Sequence, residues 1–104
     1  MSDAVQETRQ ADAVIVNPDH LAVAIRYDKE NMGAPQVVAK GQRLWASKIK
    51  EIAKEEGIPI LRNVPLAAAL SKVEVGEEVP EDLYDAVAEI LQFVYKLAEE
   101  RGET

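Results

Sequence analysis

The sequence predicts an α/β (α+β) fold, a small central sheet of about four strands surrounded by helices. Three observations predict it. Short apolar runs bounded by turn residues recur at Ala13–Val16, Leu21–Ile25, Val37–Ala39 and Pro59–Leu61, as strands require. Two longer stretches carry apolar residues at spacings of three and four, the period of a helix with one buried face. Gly and Pro fall mainly at the borders of these segments.

The elements follow in order. Residues 1–10 are polar apart from Ala4 and Val5 and read as a frayed lead-in or linker with at most a helical turn, ahead of a single domain over residues 11–104. Ala13-Val14-Ile15-Val16 ends at Asn17-Pro18-Asp19-His20, and Leu21-Ala22-Val23-Ala24-Ile25 follows at once, so the two runs read as paired strands about a turn. Asp28 to Pro35 is a loop broken by Gly33 and Pro35, and Val37-Val38-Ala39 is a third strand closed by Gly41. Trp45, Ile49, Ile52 and Ala53 form one stripe of a helix of about four turns. Gly57 stands where a helix stop belongs. Pro59-Ile60-Leu61 is the fourth strand. Because strand, helix and strand follow from Val37 to Leu61, that pair is expected to be parallel with a right-handed connection.

Pro65 suits the first turn of a short helix, Leu66 to Ser71, with Asn63 as its cap. Val73 to Val79 is a loop around Gly76. Pro80 opens the longest helix, with Glu81, Asp82 and Asp85 at its positive end and Lys96 and Arg101 at its negative end. Its stripe is Leu83, Val87, Ile90, Leu91, Val94, Leu97 and Ala98, and Gly102 stops it.

Composition narrows the function. The chain has 104 residues and a formal charge of −7, enough for one domain with a modest core. No apolar run approaches the roughly 18 residues of a membrane span, so no direct membrane insertion is expected. The first residues lack the basic and apolar regions of a secretory signal. With no Cys and a single His, neither a disulfide framework nor a transition-metal site is expected, and no cofactor motif is present. The acidic balance repels phosphate backbones and excludes nucleic acid as a partner. A soluble cytosolic domain is the expectation that remains.

One tetrapeptide carries chemistry. Asn17-Pro18-Asp19-His20 has the residues of a type I turn, and turn formation alone explains three of the four. An Asn-Pro bond also permits a particular reaction. Pro18 has no N–H, so the usual attack of the next backbone nitrogen on the Asn side chain is closed. The remaining cyclisation sends the Asn17 side-chain nitrogen onto the Asn17 carbonyl carbon and expels the Pro18 nitrogen. It is intramolecular, so orientation supplies effective molarity. It needs a proton acceptor and donor near neutral pH, and His20 is the candidate.

The tetrapeptide and its surroundings resemble the cytoplasmic domain of the FlhB/YscU family, the self-cleaving switch proteins of flagellar and type III secretion export gates. The resemblance rests on Ala11-Asp12-Ala13-Val14-Ile15-Val16, Ala22-Val23-Ala24, Tyr27-Asp28, Met32-Gly33-Ala34-Pro35, Val37-Val38-Ala39-Lys40-Gly41, Ile49-Lys50-Glu51-Ile52-Ala53, Pro65-Leu66-Ala67 and Val75-Gly76-Glu77-Glu78-Val79-Pro80. Leu83-Tyr84-Asp85-Ala86-Val87-Ala88-Glu89 completes the series.

It implies a four-stranded sheet with the cleavage turn between its first two strands, Asn17, Pro18 and His20 as the self-cleaving residues, and no cofactor or metal. Implied partners are export-gate proteins, a length-control protein, and export substrates with their chaperones, met at the cytoplasmic face of the inner-membrane export apparatus. The chain departs from the family at Asp19, where Thr is usual, at Leu21, where an aromatic residue is common, and at Ala68 and Ser71, where Arg and Tyr are expected. Asp19 reads as a modulator that stabilises the imidazolium of His20 or orients its ring.

The resemblance leaves open a freestanding homologue or a piece of a longer chain. It also leaves a second function class, a diverged, non-cleaving interaction module. A hydrolase acting on other molecules is disfavoured, for there is no Ser or Cys nucleophile with a base and no phosphate-binding glycine loop.

Overall fold

The runs on either side of the Asn17–His20 turn are apolar at nearly every position, a pattern a strand can satisfy only when both faces of its sheet are covered. The computed structural model, which describes residues 2–102, has that architecture. In chain order it contains α1 (Ser2–Gln6), a 3-10 turn (Glu7–Gln10), β1 (Ala13–Asn17), β2 (Leu21–Arg26), β3 (Gln36–Gln42) and α2 (Leu44–Glu56). There follow β4 (Ile60–Arg62), α3 (Val64–Leu70), a second 3-10 turn (Glu81–Leu83) and α4 (Tyr84–Glu100). The outermost residues of the expected lead-in and domain, 1 and 103–104, lie outside the described residues.

The sheet has the order β3-β2-β1-β4, with β1 antiparallel to β2 and parallel to β4, and β2 antiparallel to β3. β3 and β4 therefore run in the same direction, as the crossover predicts, but they are not neighbours. Consecutive hairpins occupy both edges of β2 and leave the outer edges of β1 and β3 free, and β4 adds at β1. Strand alternation then sorts the side chains. Ala13, Ile15, Val23, Ile25 and Val37 point to one face and pack with Leu66, Ala67 and Leu70 of α3 and Val87, Leu91 and Val94 of α4. Val14, Val16, Ala22, Ala24 and Ala39 point to the other face, against Ala46, Ile49, Ile52 and Ala53 of α2. The product is a sheet between two helical layers.

Four expectations need correction. Residues 2–10 are not frayed, because Val5 and Thr8 are buried and Val5 joins the α2-side core. Arg9 adds ion pairs to Glu56 at 2.7 Å and Glu55 at 3.4 Å. Gly41 does not close the third strand, which continues through it to Gln42. Its glycine answers a different need, since a Cβ there would stand 2.5 Å from the Trp45 Cβ in the first turn of α2. Trp45 is not a core residue. It remains 43% exposed, and Ala46 takes the buried position because only a small side chain fits where α2 sits so close to the sheet. Finally, Pro80 opens the 3-10 turn, and α4 begins only at Tyr84. The short helix behaves as expected, with Pro65 in its first turn and the Asn63 side chain accepting from the Leu66 N–H at 3.1 Å.

Candidate functional site

β1 is a central strand, hydrogen-bonded to β2 along one edge and β4 along the other. Its register with β2 ends at Asn17 opposite Leu21, so Pro18, Asp19 and His20 alone reverse the chain. A three-residue reversal needs one residue in the left-handed region. Asp19 supplies it with φ 68°. Pro18 fixes the second turn position at negative φ, so positive φ at the third makes this a type II turn and overturns the type I expectation. Among L residues, Asp is one of the few that visit this region readily, because its side chain is short and polar.

The turn closes on the atom where chemistry would occur. The His20 N–H donates to the Asn17 carbonyl oxygen at 3.0 Å. That carbonyl carbon is the one an attacking carboxamide must reach, and the donor polarises it. Asn17 is half-buried at the strand end, whereas Pro18, Asp19 and His20 are exposed. Among the described residues no side-chain hydrogen bond joins Asn17, Asp19 or His20 to any partner. The fold thus brings the backbones of Asn17 and His20 together without pairing their side chains, and Asp19 makes no hydrogen bond to the His20 ring.

Neighbouring elements hold the turn on both sides. The Arg43 N–H donates to the His20 carbonyl at 3.1 Å, and the Asn63 N–H donates to the Val16 carbonyl at 3.1 Å. Asn63 is the cap of α3, so one residue fixes both a helix start and the strand entering the turn. Arg43 is more unusual. It stands at φ 51° and ψ −112°, a conformation suited to glycine, with its carbonyl committed to the Ser47 N–H at 3.0 Å. Asp19 and Arg43 are the non-glycine residues with positive φ among those described, and they flank the same His20 peptide. Nothing in the sequence marks Arg43, because it lies between a strand and a helix with no Gly or Asn to announce the bend. Lys40 of β3 was likewise missed as a tie, although its Nζ donates to the carbonyls of Ser71 and Val73 at 2.9 Å each and finishes α3.

The profile of the FlhB HrpN YscU SpaS family matches residues 1–94. The chain belongs to that family. It is 47% identical over 97 residues to the flagellar biosynthetic protein FlhB of Bacillus subtilis, covering 92% of this chain and 27% of that one. It is 47% identical over 89 residues to the hypersensitivity response secretion protein HrcU of Ralstonia nicotianae, covering 86% of this chain and 25% of the other. The family thus spans a flagellar protein and a secretion protein, and this chain spans about a quarter of the length of either relative. Among solved structures, the cytoplasmic domain of FlhB from Shewanella putrefaciens superposes with a TM-score of 0.89 at 38% identity, over 98% of this chain and 80% of that one. The mixed fold with its four-stranded sheet is therefore the fold of the family's cytoplasmic domain. No described helix is long and apolar enough to cross a membrane.

Proposed function

We propose that this chain is the cytoplasmic switch domain of an export-gate protein of flagellar or type III secretion type, and that it cuts its own backbone between Asn17 and Pro18. The observation that carries the chemistry is the hydrogen bond from the His20 N–H to the Asn17 carbonyl within a proline-fixed turn. The Asn17 Nδ2 attacks the Asn17 carbonyl carbon, and the oxygen gains negative charge while already facing an N–H at 3.0 Å. The exposed His20 imidazole takes the proton from Nδ2 and returns one to the Pro18 nitrogen. The carbon–nitrogen bond to Pro18 then breaks. Residues 1–17 end in a five-membered imide, and residue 18 begins a new chain with a secondary amine. Water later opens the imide.

Cutting there leaves the fold joined. β1 keeps its register with β2 from Ala13↔Ile25 to Asn17↔Leu21 and with β4 from Val14↔Ile60 to Val16↔Arg62. What changes is the tether. Freed from Asn17, the segment from Pro18 no longer holds Asp19 at positive φ and can take a new path over the β2 end. A local, irreversible change on an otherwise fixed surface suits a switch in export substrate class, with other gate proteins, a length-control protein and export substrates with their chaperones as the partners that read it, at the cytoplasmic face of the inner membrane.

A second reading, a non-cleaving docking module, draws on the absence of a side-chain hydrogen bond between Asn17 and His20. Denaturing mass spectrometry separates the two. The first reading expects fragments 1–17 and 18–104 from the parent chain and an intact Asn17→Ala chain. An intact parent chain after prolonged incubation at neutral pH removes self-cleavage and leaves the docking module.

A further inference from the structure

α4 has two apolar stripes. Val87, Leu91 and Val94 are buried against the sheet and account for the helix's place in the core. The second stripe is Ala86, Ile90, Phe93 and Leu97, spaced four, three and four residues apart, and Leu83 of the preceding 3-10 turn extends it. On a helix this spacing makes a continuous seam, the pattern with which one helix receives another. Leu83, Ala86 and Ile90 are half-buried, each leaning with one side on the core, Leu97 is half-buried, and Phe93 is 53% exposed. At its upper end the seam borders a groove of about 230 Å³ between α3 and α4, lined by Asn63, Pro65, Leu66, Ala69, Leu83 and Ala86. At its lower end Phe93 and Leu97 form an apolar notch of similar volume with the stems of Lys96 and Glu100.

The charge around this seam selects what can lie in it. Between residues 72 and 89 stand Glu74, Glu77, Glu78, Glu81, Asp82, Asp85 and Glu89 against Lys72 alone, which is all but one unit of the chain's net −7. Among the described residues none of these carboxylates is in an ion pair. Glu89 falls on the face of α4 beside Ala86 and Phe93, and exposed Asp82 stands in the 3-10 turn just ahead of the helix, so the groove is apolar at its floor and acidic along its rim. A second copy of the chain would bring the same acidic rim against itself, and an anionic membrane surface or a nucleic acid would be repelled. A basic helix would not.

We propose that the α3–α4 groove and the α4 seam bind an amphipathic helix from a partner protein, with apolar residues at spacings of three and four and Lys or Arg on its flanks. The helix lies along α4 with its apolar residues between Ala86, Phe93 and Leu97 and its cations against Asp82, Asp85 and Glu89. This is helix-in-groove recognition, in which the apolar anchors give affinity and the rim charges give orientation and association rate. It does not depend on the backbone cut at Asn17.

The test uses the whole chain and an 18-residue synthetic peptide with Leu at that spacing and Lys on the flanks, followed by fluorescence anisotropy. A peptide with Glu in place of Lys and a scrambled Lys peptide are the controls. Saturable binding of the Lys peptide alone is expected, weakening as salt rises. Phe93→Glu, at an exposed position, should weaken it by about tenfold or more, as expected at an anchor position. Tyr95→Glu, also exposed but on the far side of the helix from the seam, should leave it unchanged. Asp82→Lys with Asp85→Lys should abolish the preference for the Lys peptide. Equal binding of the scrambled peptide, indifference to Phe93→Glu, or self-association of the chain through this face in sedimentation would each overturn the proposal. Repeating the titration with Asn17→Ala keeps the result separate from self-cleavage, since the uncut variant should bind as well as the parent.

Discussion

Replacing Arg43 by glycine should make this protein more stable, although glycine ordinarily weakens a folded chain. At φ 51° and ψ −112° the Arg43 backbone occupies a region that side-chain-bearing residues enter at a cost of about 1–3 kcal/mol. Both its polar groups are committed, the N–H to the His20 carbonyl and the carbonyl to the Ser47 N–H, so it cannot relax without breaking the link to the turn or the start of α2. Glycine removes the cost and keeps both hydrogen bonds, while its freer unfolded chain takes back about 0.5–1 kcal/mol. The balance is a gain of about 1 kcal/mol, or about 5 °C in Tm for a domain of this size. Arg43→Ala is the control, since it removes the exposed side chain, retains the strain, and should stay within about 0.5 kcal/mol of the parent. Paired urea and thermal unfolding of the three chains decides it. A glycine variant that melts at or below the alanine variant would refute the argument that this peptide is strained.

Three further outcomes follow from the same structure. Gly41→Ala should cost about 1–3 kcal/mol in urea unfolding, because its Cβ would meet the Trp45 Cβ at 2.5 Å and force α2 away from β3. Asn63→Ala should cost about 1 kcal/mol by removing the acceptor for the Leu66 N–H, and Asn63→Asp should restore most of it. Asp12 tests the pH dependence. Burial raises its carboxyl pKa, opposed by the Tyr27 N–H that donates to it at 2.7 Å. A folded-state pKa above the unfolded value gives stability that is full below the unfolded pKa and lost as pH rises through the folded one. Asp12→Asn keeps an acceptor for Tyr27 without the charge, so its stability relative to the parent should improve from about pH 3 to pH 7. A parent that gains on the Asn variant over that range would contradict this.

Much of the fold was legible because its strands are apolar on both faces. Val14 and Ile15 point to opposite helical layers, yet both must be buried, so the sequence shows an unbroken run rather than alternation. The helices were legible through Ile49, Ile52 and Ala53 and through Val87, Leu91 and Val94, whose spacing already defines a buried face. The neighbours of β4 were not legible, because its short Ile60–Arg62 stretch carries no pattern that chooses between the free edges of β1 and β3. Gly41 looked like punctuation, and only the approach of Trp45 reveals it as a clearance. The tetrapeptide at the site was readable from Asn17 and Pro18, which define a reaction by bond chemistry alone. Its support was not. Arg43 and Asn63 hold the turn through main-chain groups, and a main-chain hydrogen bond leaves little trace in residue identity. Asp19 illustrates the boundary, since its residue type permits several turns and only the register of Asn17 with Leu21 selects the one with positive φ.

The chemical nature of the new chain end tests attack by the Asn17 side chain most directly. Fragment 1–17, released by denaturation and read by tandem mass spectrometry, should end in the imide or in its two hydrolysis products, asparagine with a free α-carboxylate and aspartate with an α-carboxamide. An unbroken chain, or a fragment ending only in ordinary asparagine as simple hydrolysis by water would leave it, contradicts attack by the Asn17 side chain.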